Sequence, residues 1–175
     1  MVLRTKRGRS PGEERGEMTV ALCPGTFDPV HNGHLDIIVR AARLFSTVIV
    51  GVAASSPKEP LFALEERIEM LREATQGMGN VVVEGYDGLT VAFARAKGAA
   101  VIVKGVRTAS DLDYEARMAE MNRHLAPEVD TLFFLTAPHL GFLSSTLIKE
   151  VARLGGNVEG LVPPGVARRL QERFK

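Results

Sequence analysis

Twelve consecutive residues, Cys23-Pro24-Gly25-Thr26-Phe27-Asp28-Pro29-Val30-His31-Asn32-Gly33-His34, hold the densest set of groups suited to chemistry in this chain. They follow an apolar, β-like run from Val20 to Leu22 and lead into a helical pattern. A strand ends, the chain turns at Pro and Gly, and a helix begins with two histidines at its mouth. Gly33 leaves no side chain between the backbone and a bound group. A helix N-terminus offers unpaired N–H groups and a partial positive charge, which suits a phosphate. His31 and His34 can add donors or positive charge where a reacting phosphate gathers negative charge. No third metal ligand stands near them in the sequence, which argues against zinc.

Two further groups fit phosphate chemistry. Lys104-Gly105-Val106-Arg107 sets two cations around a glycine directly after an apolar run. Glycine lets the backbone approach a ligand, and arginine can grip phosphate oxygens with two donors; standing alone, the pair also reads as a solvated strand end. Ser144-Ser145-Thr146, within Phe142 to Lys149, places three hydroxyls at a helix start. A hydroxyl there caps the helix, and the same geometry binds triphosphate oxygens. Lys58 follows the second strand, where it reads as a surface lysine or as a phosphate contact.

In order along the chain, these groups resemble a known signature. Gly25-Thr26-Phe27-Asp28-Pro29 with His31-x-Gly33-His34 is similar to that of the nucleotidyltransferases carrying a (T/H)xGH motif. Those enzymes transfer a nucleoside monophosphate from a triphosphate to an acceptor and release pyrophosphate. Lys104 to Arg107, continued by Asp111 and Tyr114-Glu115, resembles the (R/K)GLR-x-x-x-D-x-x-YE stretch of the phosphopantetheine adenylyltransferase family, as does Met121-Asn122-Arg123-His124-Leu125. Ser144-Ser145-Thr146 is similar to that family's ISSS/ISST motif. The resemblance runs from Thr19 to the C-terminus.

The resemblance implies transfer of AMP from ATP to 4′-phosphopantetheine, giving dephospho-coenzyme A and pyrophosphate. It implies catalytic roles for His34, Lys58 and Arg107. ATP is expected against Thr26, Phe27, His31 and His34, against Gly105, Val106, Arg107 and Glu115, and against Leu140, Gly141, Phe142, Leu143, Ser144, Ser145 and Thr146. The acceptor is expected at Thr26, Lys58, Thr90 and Lys104. Mg²⁺ is expected as cofactor, held by the triphosphate and water with no protein metal ligand. A homohexamer inhibited by coenzyme A is also implied. The chain departs from the pattern in places. His31 replaces the usual threonine, giving the HxGH form of cytidylyltransferases and aminoacyl-tRNA synthetases. Leu140-Gly141 replaces a pair containing an aromatic residue. A nucleotidyltransferase for nicotinate mononucleotide or glycerol 3-phosphate therefore stays open, as does a nucleotide-binding module without turnover.

The elements that must hold these groups alternate. Strands are expected over residues 19–23, 47–53, 80–84, 100–104 and 130–136, and helices over 33–45, 64–75, 89–97, 110–125, 144–154 and 165–174. Leu35, Ile38, Val39 and Ala42 form the stripe expected to be buried on the first helix. Tyr114, Met118, Met121 and Leu125 share one face of the fourth. The alternation predicts an α/β, Rossmann-like, doubly wound five-stranded parallel sheet with helices on both faces. Ligands in such a sheet bind beyond the C-terminal strand ends. Thr26 and His34, Lys58, Lys104 and Arg107, and Ser144 and Ser145 all fall on that edge.

At 175 residues, 45% apolar and 25% charged, the chain suits one globular domain, expected over 18–175. Residues 1–17 are polar and charged, and are expected to be a disordered extension or sequence upstream of a start at Met18. A net charge of +1 argues against a nucleic-acid groove or an anionic membrane as partner. Cys23, the single cysteine, excludes an intrachain disulfide framework and fits a reducing cytosol; it reads best as a small buried apolar residue. No apolar run reaches membrane-spanning length and no signal peptide is seen, so a cytoplasmic protein is expected.

Overall fold

Runs of β-branched residues alternate with amphipathic segments, and the computed structural model, which describes residues 19–55 and 59–175, forms them into strands and helices in turn. The strands are β1 (Val20–Gly25), β2 (Thr47–Ala53), β3 (Val81–Tyr86), β4 (Ala99–Val106) and β5 (Asp130–Leu135). The helices are α1 (Asn32–Leu44), α2 (Leu64–Ala74), α3 (Thr90–Ala96), α4 (Ala109–Leu125), α5 (Ser145–Arg153) and α6 (Pro164–Arg173). Among the described residues the sheet has five strands, all parallel, in the order β3-β2-β1-β4-β5. This is the doubly wound α/β architecture expected from the alternation. The extension over residues 1–17 and Lys58 lie outside the described residues.

Side-chain alternation along the strands divides the interior in two. Ala21, Cys23, Val48, Val50, Val52 and Val103 point into the larger core, with Ile37 and Ile38 of α1, Met70 and Leu71 of α2, Ile148 of α5 and Leu170 of α6. Leu22, Ile49 and Ile102 point the other way, onto Val91 and Ala94 of α3 and onto Ala126 and Val129. No helix among the described residues is long and apolar enough to cross a membrane.

The strand register opens a cleft. β1 pairs with β2 as far as Gly25 opposite Val52, but with β4 only as far as Leu22 opposite Ile102. Beyond Leu22 the two central strands part, at the point where the strand order reverses, which is where an open α/β sheet takes its ligands. Pro24 cannot donate to a ladder; it falls in this stretch, which is paired on one side only.

Three details differ from the sequence reading. β4 continues to Val106, two residues past its expected end at Lys104, so Gly105 lies within the strand rather than after it. The buried stripe of α1 is Gly33, Ile37, Ile38 and Ala41, rotated from the expected Leu35, Ile38, Val39 and Ala42. Gly105 explains part of that rotation: a Cβ there would stand 2.8 Å from Ile37 Cγ1, so the bare glycine is the seat for Ile37. On α4, all of which is described, only Asn122 is buried. Tyr114, Met118, Met121 and Leu125 share a face, but that face is turned to solvent.

Candidate active site

The two histidines cap one another. His31 is the N-cap of α1, with extended backbone angles. The His34 backbone N–H donates to His31 Nδ1 at 3.3 Å, and the His31 backbone N–H donates to His34 Nδ1 at 3.2 Å. This reciprocal arrangement is a capping box built from imidazoles. The rings stack at 3.6 Å between centroids, 20° from parallel. Each Nδ1 accepts, so each ring carries its proton on Nε2. Burial, reinforced by the Arg107 guanidinium, pushes His31 down to about 4. Burial, His31 and Arg107 together hold His34 well below its ordinary value. Both rings are therefore neutral donors at pH 7, not cations.

The preceding turn is built to support His34. Phe27 is buried and meets the His34 ring edge-on, with centroids 5.0 Å apart. Its φ of 50° lies in the left-handed region that bulky residues avoid. Gly25 makes room for its ring, since a Cβ there would stand 2.9 Å from Phe27 Cζ. The flanking residues are tied down. The Thr26 carbonyl accepts from Arg67 Nη1 at 2.7 Å, and buried Asp28 accepts from the N–H groups of Leu61 and Phe62, both at 2.9 Å. Lys149 of α5 pairs with Asp28, so it links α5 to this turn. Asn32 completes the fastening: its N–H donates to the Leu161 carbonyl and its side chain to the Gly160 carbonyl, at 2.9 and 2.7 Å.

The other wall of the cleft carries the cations. Lys104 pairs with Glu115 at 3.3 Å. Arg107 is held by Asp111, through Nε at 3.0 Å, and donates from Nη1 to the Leu143 carbonyl at 2.6 Å. Ser144 caps α5 by accepting from the Leu147 N–H, and Ser145 Oγ donates to the Pro29 carbonyl. The first N–H groups of α5 are among those a helix leaves without an internal partner. These groups surround a cavity of about 570 Å³, lined by the β1–α1 turn, His31, His34, Lys104, Arg107, Asp111, Glu115, Ser144 and Ser145. Such a site can gather a polyphosphate on neutral donors, two cations and two helix N-termini.

Known proteins share this arrangement of sequence. Residues 22–151 match a family described as cytidylyltransferase-like. The chain is 51% identical over 157 residues to the phosphopantetheine adenylyltransferase of Desulforudis audaxviator, covering 90% of this chain and 96% of that one. It is 54% identical over 155 residues to the protein of the same name from Synechococcus sp. (strain JA-3-3Ab), covering 89% and 98%. The chain belongs to the phosphopantetheine adenylyltransferase family.

Not every residue expected at the site lines the cavity of this family member. Phe27, His31, His34, Lys104, Gly105, Arg107, Glu115, Ser144 and Ser145 do. Thr26 lies between two lining residues but is not one, and its carbonyl is committed to Arg67. Val106 and Leu143 are buried in the core, and Leu143 reaches the site through its carbonyl to Arg107. Leu140, Gly141, Phe142 and Thr146 lie outside the lining, as does Thr90, whose hydroxyl is 2.9 Å from the Tyr86 hydroxyl. Lys58 lies outside the described residues. The sequence reading missed Cys23, Pro24, Ile37, Ile38, Val103, Ser110 and Thr136 as lining residues. Strand register at the C-terminal ends of β1, β4 and β5 was the signal for most of them. It also assigned no role to Asp111 and Tyr114, although both stand in the motif it quoted. Burial pushes the Cys23 thiol up to about 12, so it is a neutral apolar part of the floor.

Proposed function

We propose that this chain transfers AMP from ATP to 4′-phosphopantetheine, giving dephospho-coenzyme A and pyrophosphate, by direct in-line attack on the α-phosphorus. The observation that carries the reading is the cavity where β1 and β4 part, ringed by His34, Lys104, Arg107 and two helix starts. An acceptor phosphate oxygen forms a bond to the α-phosphorus as the bond to the β-phosphate oxygen breaks, and pyrophosphate leaves. No protein nucleophile is needed, so positioning and charge stabilisation supply the rate. His34 donates from Nε2 to the α-phosphate oxygens, with His31 beside it. Arg107 and the start of α5, including Thr146, take the outer phosphates. Phe27 and Gly105 frame the nucleotide, joined by Val106 and the Leu140 to Leu143 segment on the strength of the family resemblance alone, with Glu115 holding Lys104. Lys104 meets the acceptor phosphate, joined by Thr26, Lys58 and Thr90 on the strength of the family resemblance.

Mg²⁺ belongs to this reading as an ion carried by the nucleotide. The cavity carboxylates Asp111 and Glu115 are each committed to a cation, and this donor set fits an ion held mainly by phosphate and water. When bound, Mg²⁺ supplies neutralisation of triphosphate charge. A cytoplasmic homohexamer inhibited by coenzyme A also follows from the resemblance, and the exposed apolar face of α4 supports self-association.

The test is pyrophosphate release from Mg-ATP with 4′-phosphopantetheine, nicotinate mononucleotide or glycerol 3-phosphate in turn. Release with phosphopantetheine alone is expected, with kcat falling roughly 100- to 1,000-fold in His34→Ala, the scale of losing one preorganised donor. Release with another acceptor only would overturn the substrate assignment while keeping the site.

A further inference from the structure

A helix N-cap needs only a small acceptor such as serine or threonine. His31 fills that position with a whole ring that is 5% exposed. Capping does not require the ring's stack on His34 or its close fit over Gly33, where a Cβ would stand 3.0 Å from His31 Cε1. Both features constrain His34 instead. The His34 ring is covered on one face by His31, meets Phe27 edge-on, and accepts at Nδ1 from the His31 backbone. A ring turned over about χ2 would lose that bond and put Cε1 where Nε2 stands. The two halves of the cap are mutual: the His31 ring fixes the His34 backbone, and that geometry returns the His31 N–H to the His34 ring.

We infer that His31 is a positioning residue for His34, its ring holding the His34 imidazole in the Nε2–H tautomer with that donor directed into the cavity. The kinetic consequence rests on the adenylyl-transfer reading. The tautomer itself is a property of the free protein, so the two can fail separately.

Nitrogen-15 NMR of the ligand-free, histidine-labelled full chain reads which ring nitrogen carries the proton. The wild type is expected to show His34 as a single Nε2–H form. His31→Ala removes both the acceptor and the stacked ring; His34 is then expected to populate both tautomers, with kcat lower by roughly 10- to 100-fold and smaller changes in KM. His31→Ser restores an acceptor without the ring, and His31→Phe restores a ring without the acceptor. Each should recover part of the tautomer order and of kcat, in the same rank. Thermal melts on every variant report folding, and if the alanine variant is unfolded the serine and phenylalanine variants carry the comparison. An unchanged His34 tautomer in folded variants overturns the inference. So does lost tautomer order with unchanged kcat. Wild type that makes no pyrophosphate with any acceptor sinks the reaction reading and leaves the tautomer to be decided by the NMR.

Discussion

Gly25, Phe27, His34, His31 and Gly33 form one continuous stack in which each residue's type answers to its neighbour. The two glycines have no side chain because aromatic rings lie where a Cβ would be. The rings in turn fix a neutral donor at the start of α1. Neutrality has a cost that pH exposes. His31 titrates near 4 in the folded chain and near 6.5 when unfolded. Between those values the unfolded state takes up a proton that the folded state refuses, so stability rises with pH across the window and is lost as pH falls toward 4. His31 alone accounts for on the order of 3 kcal/mol over this range. Urea midpoints measured across the window should fall steadily with acid, and His31→Ser should give a shallower slope. An equal slope in the variant would assign the effect elsewhere. Lys104 with Glu115 and Arg107 with Asp111 line the same cavity as ion pairs, and His34, also held below its ordinary value, adds to the slope in the same direction.

Among the elements, α2 contributes more to the site than its charged sequence suggests. Arg67 is 2% exposed and donates to three carbonyls: Thr26 after β1, Ala53 at the end of β2, and Phe62 before its own helix. Burial lowers its pKa, while Asp28 and Glu65 push it back up. Arg67→Met would leave those carbonyls without their donor inside the protein, a loss of roughly 3 kcal/mol or more. The melting temperature should drop by about 6–12 °C, and the surviving folded protein should bind ATP less well because the Thr26–Phe27 turn is loosened. A melt within a degree or two of wild type would show that Arg67 holds nothing. Nothing in a Leu64-Glu65-Glu66-Arg67 run marks its arginine as buried, because helical periodicity reports apolar residues and this one is charged. Lys149 hides likewise, since its partner Asp28 is 121 residues away. What local pattern could reveal, it did. The β-branched runs located all five strands to within a few residues, and the turn chemistry placed the helix start at the histidines. The α1 stripe was misplaced by starting the i, i+3, i+4, i+7 count at Leu35, which left out Ile37 and Ala41, while Gly33 buries as part of the face without contributing to the apolar pattern.

For the whole molecule, the two cores are unequal. The larger one lies under α1, α2, α5 and α6, while α4 on the other side buries little and turns Tyr114, Met118 and Met121 outward, at 62%, 41% and 54% exposure. Leu132 and Leu135 on edge strand β5 are exposed as well. Apolar side chains in such number on one helix suit a surface that closes against another copy. Sedimentation should find the wild type well above its 19.0 kDa chain mass, and Met118→Glu with Met121→Glu should shift it to smaller species while preserving the fold by circular dichroism. A wild type that sediments as a single chain at micromolar concentration would remove this reading.

The hydrogen bonds from Asn32 to Gly160 and Leu161 also set an order of events during synthesis. Asn32 and Gly160 are separated by 128 residues. At roughly 5–20 residues per second, the histidine turn leaves the ribosome on the order of 6–25 s before the segment that fastens it. A chain stalled in that interval displays the histidine turn and yet lacks the bonds that close the start of α1.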